Sequence, residues 1–289
     1  MSHLQIRDLS VALDGDPRRR LLRSVSLDVA TGEVHGLVGE SGAGKSMIGK
    51  TVFGILPRAA KVVAGTVAVG GRDLLAMDRT RRRRLVGREM ALIPQDPLTA
   101  LNPSRRIEAQ LTDRLVAILG MGRRAARDRV AGLLDEVKIR NIDRVLAAYP
   151  HELSGGMRQR VLIAEAFAAE PKLIVADEPT TALDVTVQKT ILGLIAQMQA
   201  RHGAALLFVT HDLGVVAKIC QRVSVLFSGR VVETQPTADL LAAPRSPYTA
   251  ALLAAMPRYD RPADLTPVAP EIIAEMRAAV AAADARFLA

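Results

Sequence analysis

A chain of 289 residues that is 49% hydrophobic and 24% charged can bury a sizeable core, and this composition excludes a disordered polymer. The formal charge of +9 suits nucleic acid, anionic lipid or a plain soluble surface, but five phenylalanines, three tyrosines and no tryptophan leave few rings to stack on bases, so no nucleic-acid partner is expected. One cysteine, Cys220, rules out an internal disulfide or a cysteine-rich metal site and fits a reducing compartment, with buried apolar filler as its expected role.

The opening MSHLQIRDLS lacks the basic, apolar and cleavage regions of a secretory signal, and no apolar run approaches the roughly 20 residues needed to cross a bilayer, so a cytoplasmic location is expected. Short strands are predicted around Leu4, Ile6 and Leu9, and again around Val25, Leu27 and Val29. After the Gly32-Glu33 turn, Val34 to Val38 reads as a buried strand that enters a glycine-rich loop, and Ser46 to Leu56 as the helix that follows, stopped by Pro57. Val62 to Val69, framed by Gly65 and Gly70-Gly71, predicts a hairpin pair, and Leu74 to Val86 a short basic helix. Ala91 to Ile93 returns to strand. Ile107 to Leu119 and Ala125 to Val137 then carry helical apolar spacing and read as an insertion. Further on, a helix within Leu153 to Ala169, a strand Leu173 to Ala176, a helix Val187 to Ala200 and a strand Ala204 to Val209 restore the alternation of a largely parallel, helix-covered sheet. Beyond Leu241 a tail rich in proline (Pro244, Pro247, Pro257, Pro262, Pro267, Pro270) ends in a short alanine-rich helix.

The segment Gly39-Glu40-Ser41-Gly42-Ala43-Gly44-Lys45-Ser46 has the full spacing of a nucleotide phosphate loop and lies between strand and helix. Small residues let backbone N–H groups converge on phosphate oxygens, and the helix N-terminus adds positive potential. Lys45 would reach the terminal phosphates and Ser46 would offer an oxygen to Mg²⁺. At the end of an apolar strand, Asp177 is typed to orient Mg²⁺ and Glu178 to help activate the attacking water. Adjacent strand residues face opposite ways, so the two carboxylates share a direction only if the backbone turns, and Pro179 favours a turn.

With Leu153-Ser154-Gly155-Gly156-Met157-Arg158-Gln159 added, these elements resemble the nucleotide-binding subunits of ABC transporters. The resemblance implies an α/β fold, an ABC-type P-loop ATPase with an antiparallel β subdomain and a helical insertion at about 96–160. The ATPase domain would span 1–245 and a C-terminal extension 246–289. In such subunits Ser154, Gly155 and Gly156 meet the nucleotide held by an opposing subunit, while Ser154 equally suits a helix cap. Gln95 matches the glutamine loop that senses magnesium or water, although by itself a glutamine is usually surface. His211 matches the switch histidine that arranges water and Glu178, and alone would read as a cap or surface group. Asp184 matches the loop through which subunits communicate, and it also suits the cap of a helix starting near Val185.

The wider segments Gln95 to Pro103, Tyr149-Pro150-His151-Glu152, Asp212 to Val216 and Ser246-Pro247-Tyr248-Thr249-Ala250-Ala251-Leu252-Leu253 resemble the dipeptide and oligopeptide importer group, which includes nickel transporters. That implies ATP and Mg²⁺ as ligands, with the chain at the cytoplasmic face of the inner membrane. The implied partners are two transmembrane permease subunits, a second and nonidentical ATP-binding subunit, and an extracytoplasmic solute-binding protein. Two departures stand out. Leu13 occupies the place where relatives put an aromatic ring on adenine, so apolar contact from Leu13 or a flat arginine from Arg18-Arg19-Arg20 would have to substitute. The tail has no cysteine, which excludes the iron–sulfur-like cluster seen in some relatives. The run Arg79, Arg81, Arg82, Arg83, Arg84 reads as a solvated helix face, with anionic lipid and nucleic acid as the other readings.

Overall fold

The computed structural model describes residues 2–181, 184–255 and 269–288. Ala182-Leu183, next to the predicted interface residue Asp184, and the tail prolines Pro257, Pro262 and Pro267 lie outside them. The chain forms two compact units, 1–75 with 207–289, and 76–206.

The first unit begins with β1 (Ser2–Leu13) and the long β2 (Asp16–Ala30), paired antiparallel. Leu4, Ile6, Leu9 and Val11 of β1 are fully buried, and so are Leu22, Val25 and Val29 of β2. The arginines Arg18 to Arg20 are therefore strand residues, although the sequence suggests a strand only around Val25 to Val29. Next come β3 (Val34–Val38), buried throughout, α1 (Lys45–Phe53), β4 (Ala60–Val69) and β5 (Arg72–Asp73), and the first sheet has the order β2-β1-β4-β5. Val62 to Val69 lies within one strand, so the predicted hairpin does not turn at Gly65; it turns at Gly70-Gly71, where β4 pairs antiparallel with β5, Ala68 opposite Asp73 and Val69 opposite Arg72. Gly65 marks a bulge in β4: its φ is +92°, a Cβ there would lie 2.5 Å from Arg7 O and Leu9 Cα, and the register against β1 shifts between Arg7 and Ser10.

The second unit opens with α2 (Arg79–Glu89), which starts later than the predicted Leu74 because the Asp78 carboxylate accepts hydrogen bonds from the N–H groups of Thr80 and Arg81, both at 2.9 Å. Leu85 is its buried residue, and Arg79, Arg81, Arg83, Arg84 and Arg88 are exposed. β6 (Met90–Ile93) leads to α3 (Pro97–Ala100), α4 (Ile107–Ala117), α5 (Arg123–Glu136), α6 (Ile142–Ala147) and α7 (Gly155–Ala168). Ile107, Leu111 and Leu115 of α4 and Ala126, Val130, Leu133 and Leu134 of α5 repeat at helical spacing and are buried, as the insertion's periodicity predicts. β7 (Leu173–Asp177) pairs parallel with β6, from Met90 opposite Leu173 to Ile93 opposite Ala176, and α8 (Val185–His202) follows.

β8 (Ala205–Thr210) begins in the second unit and continues into the first from Leu207. The first unit is completed by α9 (Leu213–Ile219), β9 (Arg222–Phe227), β10 (Arg230–Pro236), α10 (Thr237–Ala242), α11 (Pro247–Ala254) and α12 (Pro270–Leu288). Here the strands run in the order β10-β9-β3-β8, with β9 parallel to β3 and antiparallel to β10. Cys220 is buried as expected, and burial pushes its thiol up to about 12.

Candidate functional site

β3 is buried on both faces and ends where the chain must turn, so the phosphate loop leaves the sheet at the C-terminal edge of a buried strand. Ser41 and Gly42 form the exposed tip, whereas Ala43 and Lys45 are buried. Gly44 caps α1 at φ +103°, a left-handed conformation that costs a side-chain-bearing residue dearly. Lys45 folds back over the loop, its Nζ donating to Gly39 O at 2.8 Å and Glu40 O at 2.9 Å. An ammonium held there by two carbonyls stands among backbone N–H groups at a helix N-terminus, an arrangement suited to a polyphosphate.

In the second unit β7 delivers Asp177 as its last residue, and the very next residue, Glu178, has φ +47°. The backbone therefore turns between the two carboxylates, as their joint use requires. Glu178 Oε2 accepts a hydrogen bond from the Thr181 hydroxyl at 3.0 Å, and Thr181 N donates to Glu178 O at 3.2 Å. Thr181 does not stand out in the sequence; its place three residues after Glu178, in a turn opened by Pro179, is the signal that could have found it.

Ser154 caps α7, its Oγ accepting from Met157 N at 3.3 Å, and Ser154 and Gly155 are exposed. Gln95 is exposed in the bend between β6 and α3. Asp184 accepts from the N–H groups of Thr186 at 3.0 Å and Val187 at 2.9 Å, so the cap that the sequence suggests for it is present. Gln95, Asp177, Glu178, Ser154 and Asp184 all belong to the second unit. The first unit holds the phosphate loop, Leu13 at the end of β1 and the exposed His211 just after β8.

The tail adds a residue to the phosphate-loop side that sequence reasoning placed only in a motif. Tyr248 of α11 is fully buried, with its ring centroid 4.7 Å from that of Phe227 in an edge-on contact. Burial, and then the nearby Glu40 charge, push its phenol up to about 12; the hydroxyl lies near the Glu40 backbone without reaching full hydrogen-bond geometry. α11 is tethered through Glu233 of β10, whose carboxylate accepts from Arg245 N at 2.7 Å and Ser246 N at 3.0 Å.

For the ion that accompanies a nucleoside triphosphate, the first unit holds one hard oxygen donor, the Ser46 hydroxyl, and the second unit another, the Asp177 carboxylate. No cluster of three or more His, Cys, Asp or Glu occurs among the described residues. A sparse oxygen set fits Mg²⁺, which keeps several waters and takes its remaining ligands from phosphates.

The chain matches the ABC transporter family over residues 22–181 and the oligopeptide/dipeptide transporter C-terminal region over residues 232–280. It is 44% identical over 260 residues to a protein of Sinorhizobium fredii named as a probable peptide ABC transporter ATP-binding protein, covering 89% of this chain and 78% of that one. It is 42% identical over 275 residues to the dipeptide transport ATP-binding protein DppD of Escherichia coli, covering 93% and 84%. Among solved structures, cbiO1 of Clostridium perfringens, part of the ABC transporter complex cbiONQ, superposes with a TM-score of 0.73 at 25% identity over 87% of this chain and 95% of that one. A dimeric cassette in a post-hydrolysis state bound to ADP and Pi superposes with a TM-score of 0.71 at 24% identity over 81% and 98%, a likeness of fold. The phosphate loop, the acidic turn after β7, the capped glycine turn at α7 and these similarities lead to one conclusion: the chain belongs to the ATP-hydrolysing, ATP-binding subunits of ABC transporters.

Proposed function

We propose that this chain hydrolyses ATP to drive import of dipeptides or oligopeptides, working at the cytoplasmic face of the inner membrane on two permease subunits fed by a solute-binding protein. The observation that carries this reading is the joining, on one chain, of an ABC phosphate loop to a C-terminal region of the oligopeptide/dipeptide transporter type. Among the described residues no helix is long and apolar enough to cross a membrane, so the reading assigns the pathway to the permeases.

Lys45 and the loop N–H groups of Gly42 to Ser46 hold the β- and γ-phosphates, and Leu13 lies against the base. Ser46 and Asp177 orient Mg²⁺, which when bound neutralises charge on the phosphates. Glu178, fixed by Thr181, accepts a hydrogen bond from the attacking water, while Gln95 and His211 arrange that water and the γ-phosphate. Ser154, Gly155 and Gly156 serve the nucleotide of a second ATP-binding subunit, a nonidentical relative, and Asp184 lies at that interface.

The test is reconstitution of the chain with the permeases and binding protein from the same operon into vesicles. ATP-dependent uptake of labelled dipeptide that is lost with Glu178→Gln supports the reading. Uptake of nickel in place of peptide overturns the substrate assignment, and ATP turnover without any partner-dependent uptake overturns the transport assignment.

A further inference from the structure

The helix α12 ends on the strand that supports the phosphate loop. Arg20 of β2 is only 5% exposed, and a cation so buried needs compensation. Nearly all of that compensation comes from α12. Arg20 Nη2 pairs with Asp284 Oδ1 and donates to Ala283 O at 3.2 Å, and its guanidinium lies 4.1 Å from the centroid of the Phe287 ring. Its Nε has no hydrogen-bond partner among the described residues.

Three residues along β2, Arg23 Nε donates to both Asp284 oxygens at 3.0 Å. The same guanidinium reaches in the other direction, with Nη1 donating to Ser228 O at 2.6 Å, and the Arg23 backbone N donates to Gly229 O at 2.8 Å. Gly229 N in turn donates to Ala43 O of the phosphate loop at 2.7 Å. This stack leaves no slack. A Cβ on Gly229 would lie 2.2 Å from Leu21 O, and one on Gly44 would lie 3.0 Å from Leu22 Cδ2 and 3.1 Å from Leu21 O. Side chains at Gly229 and Gly44 are thus excluded by the close approach of β2, and the two hydrogen bonds from Arg23 to Gly229 and from Gly229 to Ala43 join β2 to the phosphate loop.

We infer that α12 is a clasp on the nucleotide site, with Asp284 and Arg23 as positioning residues that hold the Ser228-Gly229 turn and, through it, the phosphate loop in its nucleotide-binding conformation. The inference rests on the nucleotide-binding reading of that loop. It makes the tail a determinant of ATP affinity in addition to a feature that marks the peptide-transporter group. Asp284 supplies the only carboxylate among the described residues that pairs with Arg20 and Arg23, so neutralising it removes the ion pair of both guanidiniums at once.

The experiment measures the Kd of the full-length chain for a fluorescent ATP analogue and the kcat of the assembled transporter at saturating ATP. Asp284→Asn should raise Kd by about fivefold or more, the lower end of coupling between sites, while kcat at saturation stays near the unaltered value. Arg23→Gln should raise Kd similarly, and the double variant should be no worse than either single change, because one route carries both effects. Asp284→Glu, which retains the carboxylate, should recover most of the affinity. Should Asp284→Asn fail to fold, Phe287→Ala unlocks Arg20 from an exposed ring and should still weaken binding, by about twofold, as a small fraction of the same coupling. The proposal is overturned by unchanged Kd in Asp284→Asn or in Phe287→Ala, by additive losses in the double variant, or by kcat falling in step with affinity. Failure of the unaltered chain to bind the analogue overturns the nucleotide reading and this proposal together, so the two failures are distinguishable.

Discussion

The Thr181 hydroxyl donates to Glu178 Oε2 at 3.0 Å while Glu178 itself holds a left-handed backbone at φ +47°. A bulky residue occupies that region only when its surroundings enforce it, and here the Thr181 side chain and backbone both bind back to Glu178. The carboxylate is thus placed before any nucleotide arrives.

Replacing Glu178 with glutamine keeps the shape and the Thr181 contact but removes the charge that accepts a proton. Equilibrium ATP binding should be unchanged and steady-state turnover in the assembled complex should fall by about 10² or more, the range of general-base catalysis. Turnover within a few fold of the unaltered enzyme would remove Glu178 from the reaction.

Lys45→Ala should fail one step earlier. The ammonium donates to Gly39 O and Glu40 O and stands ready to exchange them for phosphate oxygens, so its loss should weaken nucleotide binding by about 10- to 100-fold, the worth of a charge-assisted hydrogen bond. Calorimetric titration with ATP measures it. Equal affinity in both proteins would mean that the loop binds without its lysine.

Glu165 of α7 gives a pH signature. Part of its surface reaches solvent, yet burial pushes its carboxyl up to about 7, against the opposing pull of the Arg114 cation. Arg114 itself is held by Gly87 O at 2.9 Å and Met90 O at 2.5 Å. The folded chain keeps a proton on Glu165 that the unfolded chain releases near 4.5, so this contribution to stability is complete below pH 4.5 and lost as pH rises through 7. Glu165→Gln should therefore be more stable than the unaltered chain at pH 8, by at most about 3 kcal/mol, with the gap closing toward pH 4.5. Denaturant melts across that window test it, and a gap independent of pH would show that Glu165 titrates as an ordinary carboxylate.

In the proposed arrangement the Lys45 loop of one subunit and the Ser154 turn of the other meet the same nucleotide, so a single copy of this chain does not complete a site. Intact mass of the native transporter should contain this chain once, beside a related ATP-binding chain. Two copies of this chain would reject the heteromeric part of the proposal, and a working transporter with a single nucleotide-binding domain would reject the shared site.

The phosphate loop is legible in its residue spacing, β7 in its apolar run and the insertion helices in a periodicity that burial reinforces. Gly65 is ambiguous in the sequence for a physical reason: glycine serves equally in a turn and in a strand bulge, and the close approach of Arg7 O, with the register shift beside it, makes it a bulge. Leu74 fits a helical stripe in the sequence, whereas the Asp78 cap sets the start of α2. The sequence marks β2 only around Val25 to Val29 because three successive arginines carry no strand alternation, and the burial of Arg20 depends on Asp284, 264 residues away in sequence. Partnerships of that range leave no local trace.

Cys220 is the chain's single thiol, and it is 8% exposed with its pKa raised to about 12. At neutral pH almost none of it is thiolate, the form that reacts with maleimides and iodoacetamides. The natural chain is therefore already close to a cysteine-free background for spectroscopy. A cysteine introduced at exposed Ser41, Gln95 or Ser154 would take a dye or spin label selectively, without first removing a native residue from the packing beside β3.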